Sequence, residues 1–240
     1  MTNYSLQRDG FEIIDGVLDQ STINELRVAV GELPRFHRGG KRNLLSDSEA
    51  CAVLASSVAI KQIANRLMLA EPIPVRALFF DKTPAANWRV PWHQDTAIAV
   101  AERIETPDFT GWSVKDGVPH VHPPTEILES MVALRIHLDD CGNDNGPLRV
   151  IPGSHREGRL TAEQIEAWKQ RVPEVACCSR SGGVLAMRPL LLHASSPARL
   201  VSHRRIIHIE YADGRLPNGL RWFTEFRATG PIRARATQGT

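Results

Sequence analysis

Two short runs, Met131-Val-Ala-Leu-Arg-Ile-His-Leu138 and Leu148-Arg-Val-Ile151, flank the bend Asn145-Gly146, and their reading decides the fold. Runs of this length, rich in β-branched residues and bounded by Asn, Gly and Pro, read as strands. The same texture recurs in Val75–Lys82, Val184–Met187 and Arg204–Tyr211, the pattern of a β barrel or sandwich. A short helix over Ala162–Arg171, opened by the capping box Thr161-Ala-Glu-Gln164, interrupts the strands. The first third reads helical. Thr22-Ile-Asn-Glu25 has capping-box form, with Ile23, Leu26, Val30 and Leu33 at helical spacing, and a second stretch runs from Ser57 to Leu69. The expectation is one domain over 1–240, with a helical brace over about 1–72 and a barrel over about 73–225.

Bulk composition excludes several classes. Hydrophobic residues make up 42% and charged residues 23%, too balanced for long disorder. A net charge of +2 with scattered basic residues does not call for a nucleic-acid partner. Arg221, Arg227, Arg233 and Arg235 make the end of the chain basic, which reads as a solvated tail. No apolar run follows a basic start and none approaches the length of a membrane span, so a cytoplasmic protein, monomer or homodimer, is expected. The adjacent pair Cys177-Cys178, with Cys51 and Cys141, is a poor disulfide or zinc framework.

Trp92-His93-Gln94-Asp95 carries the first chemical signal, because residues i and i+2 on an extended strand point the same way. His93 and Asp95 can therefore share a metal. An HxD pair alone is an ordinary hydrogen-bonding pair; a distant histidine must complete one face of an ion. His193 is the best placed, ending the apolar run Pro189-Leu-Leu-Leu beside the turn-forming Ala-Ser-Ser-Pro197. Two histidines and a carboxylate on one face leave the opposite face open, as in non-haem iron(II) oxygenases. Eleven residues on, Arg204 opens the strand Arg204-Arg-Ile-Ile-His-Ile-Glu-Tyr211. A guanidinium buried there needs an anion, and the distal carboxylate of 2-oxoglutarate would serve. Alternation sends the adjacent Arg205 to the other, solvated side.

His93-Gln-Asp95, Asn145-Gly-Pro-Leu-Arg-Val-Ile-Pro-Gly-Ser-His155 and His193-Ala-Ser195 with Arg204, in that order, resemble the phytanoyl-CoA dioxygenase family. The resemblance implies a mainly β double-stranded β-helix (jelly-roll, cupin-like) fold. It also implies iron(II) on His93, Asp95 and His193, and 2-oxoglutarate and O2 as cosubstrates. By motif position, Ser195 joins Arg204 on the distal carboxylate, and Gln94 sits beside the metal near cosubstrate or substrate. The activity implied is hydroxylation of a small molecule or acyl thioester with release of succinate and carbon dioxide. Related halogenases lack the carboxylate that Asp95 supplies here. The alternative from another class is a non-catalytic cupin-like metal or small-molecule binding protein.

Other residues have simpler expectations. Thr96–Glu129, rich in Gly and Pro, reads as an irregular lid, with His120 and His122 on a loop over the mouth. His155 is expected to fix the hairpin after the Asn145-Gly146 bend, and Trp88 to pack at the rim. His208 shares a strand face with Arg204 and reads as a satisfied core group; Arg135 and His137 share a face of their own strand.

Overall fold

Alternation along the strands separates an oily face from a charged one, and this sets the architecture. A computed structural model describes residues 4–33, 40–200 and 203–224. In chain order the elements are α1 (Leu6–Asp9), β1 (Phe11–Ile14), α2 (Gln20–Gly31), β2 (Gly40–Lys41), α3 (Leu44–Asp47), α4 (Glu49–Ser56), α5 (Val58–Leu67), β3 (Pro72–Lys82), β4 (Val90–His93) and β5 (Ile98–Ala99). They continue with β6 (Thr110–Lys115), β7 (Val118–His122), α6 (Thr125–Ser130), β8 (Val132–His137), β9 (Leu148–Val150), α7 (Ala162–Arg171), β10 (Val175–Cys177), β11 (Val184–Met187), β12 (His193–Ser195) and β13 (Arg204–Asp213).

Two antiparallel sheets, ordered β1-β11-β8-β13-β3-β2 and β10-β9-β12-β4, make the jelly-roll body. One face of the larger sheet presents Ala77, Phe79, Val132, Leu134, Ile136, Ile207 and Ile209 to Leu26, Leu54, Ile60 and Ile63 of α2, α4 and α5. Burying such side chains contributes about 1.5–3 kcal/mol each. The other face packs Phe11, Ala133, Leu185 and Met187 against Leu148, Val150 and Cys177 of the smaller sheet. Between the sheets, the same alternation turns Arg76, Leu78, Phe80, Arg135, Arg204 and His208 into a shared pocket.

The start of the chain is not only a helical brace. β1 adds an edge strand to the larger sheet, pairing Phe11 with Met187 and Ile14 with Val184. Four residues are too short for their periodicity to stand out among helices. α2 begins earlier than the Thr22 box implies: Asp19 is the cap, accepting from the Thr22 amide at 2.8 Å. The capping box of α7 stands as read, with both reciprocal bonds present.

Thr96–Glu129 is not an irregular lid. It holds a three-stranded sheet, β5-β7-β6, followed by α6. Asp116 and Gly117, at φ 49° and 76°, form the two-residue connection between β6 and β7, and Lys115 pairs with Val118. Positive φ at both central residues marks a type I′ hairpin, for which Asp-Gly is a strong signal. His120 and His122 thus lie on a strand, and Val121, Phe109 and Leu128 bury themselves with Trp222 and Leu216 in a core of their own.

His155 does not fix the Asn145-Gly146 bend. It lies in the 3-10 turn Ser154–Glu157 beside Gly10. Its neighbour Ser154 does the pinning, donating to the Ile151 carbonyl at 2.8 Å and accepting from the Leu192 amide at 2.9 Å. Of the basic tail, Arg221 faces Glu102 at 3.4 Å, while Arg227, Arg233 and Arg235 lie outside the described residues. Among the described residues, no helix is long and apolar enough to cross a membrane.

Candidate metal centre and anion pocket

His93 ends β4 and pairs with His193 at the start of β12, so two separate parts of the sequence meet across one ladder. Their rings lie 4.2 Å apart between centroids. Asp95 follows β4, and its amide donates to the Pro189 carbonyl at 2.9 Å, which holds it beside the approach to β12. The Nε2 of His93 is 3.9 Å from Asp95 Oδ1, and the Nε2 of His193 is 3.7 Å from Asp95 Oδ2. One donor atom from each of the three residues fits within 4.8 Å of the others.

Tautomers are set by the backbone. Nδ1–H of His93 donates to the Pro91 carbonyl at 2.9 Å, and Nδ1–H of His193 donates to the Leu191 carbonyl at 2.8 Å. Each ring therefore turns its Nε2 toward Asp95, which is how a metal-binding histidine is oriented. Burial lowers the pKa of His193 to about 4, keeping it neutral at physiological pH despite the nearby Asp95 carboxylate. Burial works against the charge on Asp95, but His193, His208, His93 and Arg76 together hold its pKa below the ordinary carboxylate range. Two imidazoles and a carboxylate on one side of a point suit a divalent transition metal with its remaining positions open.

The pocket beside this trio, about 150 Å³, is lined by Arg76, Trp88, Arg135, Ser195, Arg204 and His208 among others. At its far end Arg204, 2% exposed, donates to the carbonyl of Gly146 and lies 3.4 Å from Ser195 Oγ, while its Nε has no partner. Gly146 has φ +60°, and a Cβ there would stand 2.7 Å from the Ser196 carbonyl oxygen. Lys82, directly across the ladder from Arg204, donates to Ser195 Oγ at 2.8 Å and to the Ser196 carbonyl. Burial, then the charge of Arg204, lowers the Lys82 pKa to about 7. Burial also lowers the Arg204 pKa. A buried guanidinium facing a pocket without a carboxylate partner is costly unless an anion joins it.

Between the two ends runs a chain of polar contacts. Arg135 donates from Nη1 to His208 Nδ1 at 3.1 Å, His208 Nε2 lies 3.3 Å from Glu210 Oε1, and Glu210 pairs with Arg76 directly across the ladder. His208 thus joins the pocket wall rather than an apolar core, and Trp88 lines the pocket as well. Sequence reading passed over Lys82, Arg76 and Glu210. The signal was present: stepping by two from Arg204 reaches His208 and Glu210, and from Lys82 reaches Arg76.

Gln94 is not in the pocket. Alternation turns it opposite to His93 and Asp95, and backbone groups satisfy its amide. Nε2 donates to the carbonyls of Gly158 and Leu190 at 2.8 and 2.7 Å, and Oε1 accepts from the Leu160 amide at 2.8 Å. Arg205 does point away from Arg204, but it is not simply solvated: it grips Asp139 from Nε and Nη2 at 2.9 and 2.7 Å.

The fold is a jelly roll in which two histidines and a carboxylate bring one donor atom each to a common point. Residues 6–206 match the phytanoyl-CoA dioxygenase (PhyH) family, and the chain belongs to it. The chain is similar to an L-proline trans-4-hydroxylase of Streptomyces griseoviridis, 27% identical over an alignment of 192 residues that covers 68% of this chain and 63% of that relative's length. Its fold is similar to that of AviO1 from Streptomyces viridochromogenes Tue57, with TM-score 0.64, 24% identity, and coverage of 89% of this chain and 94% of that one. It is also similar to EctD from S. alaskensis, solved with 2-oxoglutarate and 5-hydroxyectoine, with TM-score 0.67, 21% identity, and coverage of 87% and 73%. At these identities the structural likeness is one of fold.

Proposed function

We propose that the protein is an iron(II)- and 2-oxoglutarate-dependent dioxygenase that hydroxylates a small molecule, with His93, Asp95 and His193 as the metal ligands. The observation that carries this reading is the pair of Nε2 atoms, each ring fixed by a backbone hydrogen bond at Nδ1 and each Nε2 within 4 Å of an Asp95 oxygen. The unpartnered Nε of Arg204 at the far end of the same pocket supports a dicarboxylate cosubstrate. Family membership supports both. A non-catalytic binder has no need for the complete donor set and the buried arginine in one cavity.

Iron(II), 2-oxoglutarate and O2 together supply an oxidant for an unactivated C–H bond, with the oxo acid lost as succinate and carbon dioxide. The chain's own residues do the positioning. Arg204 and Ser195 would hold the distal carboxylate, and both are oriented by the carbonyl of Gly146, a position where a Cβ would collide with the Ser196 carbonyl oxygen. Phe80, Leu78 and Leu148 give the walls an apolar surface that limits water. Asp95 occupies the ligand position that a halide would need, which favours hydroxylation.

The relative named as a proline hydroxylase makes free amino acids the first substrates to test, with acyl thioesters as the second class. The decisive experiment is succinate release from 2-oxoglutarate by iron(II)-loaded protein against a panel of both. Stimulation by a substrate that is itself hydroxylated supports the reading. Iron and 2-oxoglutarate binding without any turnover across a broad panel favours the binder.

A further inference from the structure

Arg204 is not the only buried guanidinium in the pocket that lacks a carboxylate partner. Arg135, on the central strand β8, is 7% exposed and lines the same cavity. Its hydrogen bond among the described residues goes to an imidazole nitrogen, His208 Nδ1, and its Nε has no hydrogen-bond partner. The Phe80 ring lies 5.4 Å from the guanidinium carbon. Such a cation is expensive to keep buried unless a ligand completes it. Arg76, by contrast, already has Glu210.

The two unpaired arginines sit at different ends of the pocket. Arg204 lies across the ladder from Lys82, with Gly146 and Ser195. Arg135 lies across from His208, four residues further along β13, or about 13 Å of strand. His208 groups with Asp95 and Glu210 within 4.8 Å, so Arg135 belongs to the metal end. Two guanidiniums separated along one slot match the two charges of a dicarboxylate.

We propose that Arg135 is a second carboxylate-binding residue, holding the metal-side carboxylate of 2-oxoglutarate while Arg204 holds the distal one. This rests on the cosubstrate reading above and adds a residue to it. His208 acts through Arg135 as a positioning residue: Nδ1 accepts from the guanidinium, and Glu210 fixes the ring from its other nitrogen.

The test is calorimetric titration of iron(II)-loaded protein under argon, where no turnover occurs, for wild type, R135Q, R135K and R204Q. Two ligands separate the ends: 2-oxoglutarate, and 2-oxobutyrate, which keeps the oxo-acid end and lacks the distal carboxylate. R204Q should lose affinity for 2-oxoglutarate and bind 2-oxobutyrate as wild type does. R135Q should lose about tenfold or more for both ligands, and R135K should regain part of the loss for both. R135Q binding both ligands within about twofold of wild type overturns the proposal, as does a loss confined to 2-oxoglutarate. If neither Arg135 variant folds, metal-free wild type still decides: glutarate should bind at least about tenfold tighter than butyrate, and equal affinities overturn the proposal. Wild type failing to bind 2-oxoglutarate overturns the cosubstrate reading and this inference together, whereas wild-type binding with an indifferent R135Q overturns this inference alone.

Discussion

The Nε2 of His193 stands 3.7 Å from Oδ2 of Asp95, although 98 positions of sequence separate the two residues. The contact exists because β12 pairs with β4 and because the Asp95 amide is tied to the Pro189 carbonyl. Asp95→Ala removes the carboxylate and leaves both imidazoles in place. We expect it to abolish tight iron(II) binding and succinate production, measured by calorimetry and product assay. Full iron affinity with full 2-oxoglutarate consumption would place the metal elsewhere.

Arg204 and Arg205 are neighbours on opposite faces of β13, and replacing each by Ala should separate their roles. Arg204→Ala removes a buried charged partner from the pocket and should cost about 2–5 kcal/mol of 2-oxoglutarate binding. Arg205→Ala breaks a partly buried pair with Asp139, which keeps Arg27 as a second partner, and should lower stability while leaving the affinity alone. Equal, small effects on binding from both would remove Arg204 from the site.

Lys82 supplies a pH dependence whose sign can be worked out. Its folded pKa of about 7 lies below the ordinary 10.5, so between these values the unfolded chain holds more protons than the folded one. Stability from this group therefore rises with pH through that window and is lowest below it. The melting temperature of wild type relative to Lys82→Met should climb from pH 7 to pH 9. A difference that is flat with pH would show that Lys82 stays charged when buried.

Much of this layout was legible in the chain. The five β runs, the α7 capping box and the nearness of His93 to Asp95 rest on periods of two or on local capping chemistry, and the sheets place the runs as those periods require. What escaped were short or long-range features. β1 is four residues long and declares itself only by pairing with β11. Arg135 and His208 look like separate polar residues until β8 and β13 align them across the ladder. Gln94 shows the limit of motif position, since the alternation that recommended His93 and Asp95 also turned Gln94 away.

Gln94→Ala should consequently behave as a structural lesion. The substitution strips the carbonyls of Gly158 and Leu190 and the amide of Leu160 of their side-chain partner. Leaving such groups unsatisfied costs about 1–3 kcal/mol each where they are buried. Urea unfolding should show the loss, while 2-oxoglutarate affinity at saturating iron stays close to wild type. A large loss of cosubstrate affinity with unchanged stability would return Gln94 to the pocket.

The hairpin of β6 and β7 separates a lid from a framework. A lid would be cut away with iron and 2-oxoglutarate binding preserved, because its contacts form only around substrate. Here the Asp116-Gly117 turn sets a fixed register, and β7 drives Val121 into a cluster shared with Leu128, Leu190 and Trp222. That cluster also reaches the metal end, because Leu190 follows Pro189, whose carbonyl holds the Asp95 amide. Val121→Ala should therefore cost about 1.5–3 kcal/mol in urea unfolding. Replacing 114–123 by a Gly-Ser linker should weaken iron binding as well as stability. If the trimmed protein instead keeps its unfolding midpoint and its iron while losing only coupling to substrate, the hairpin is a lid and the framework assignment fails.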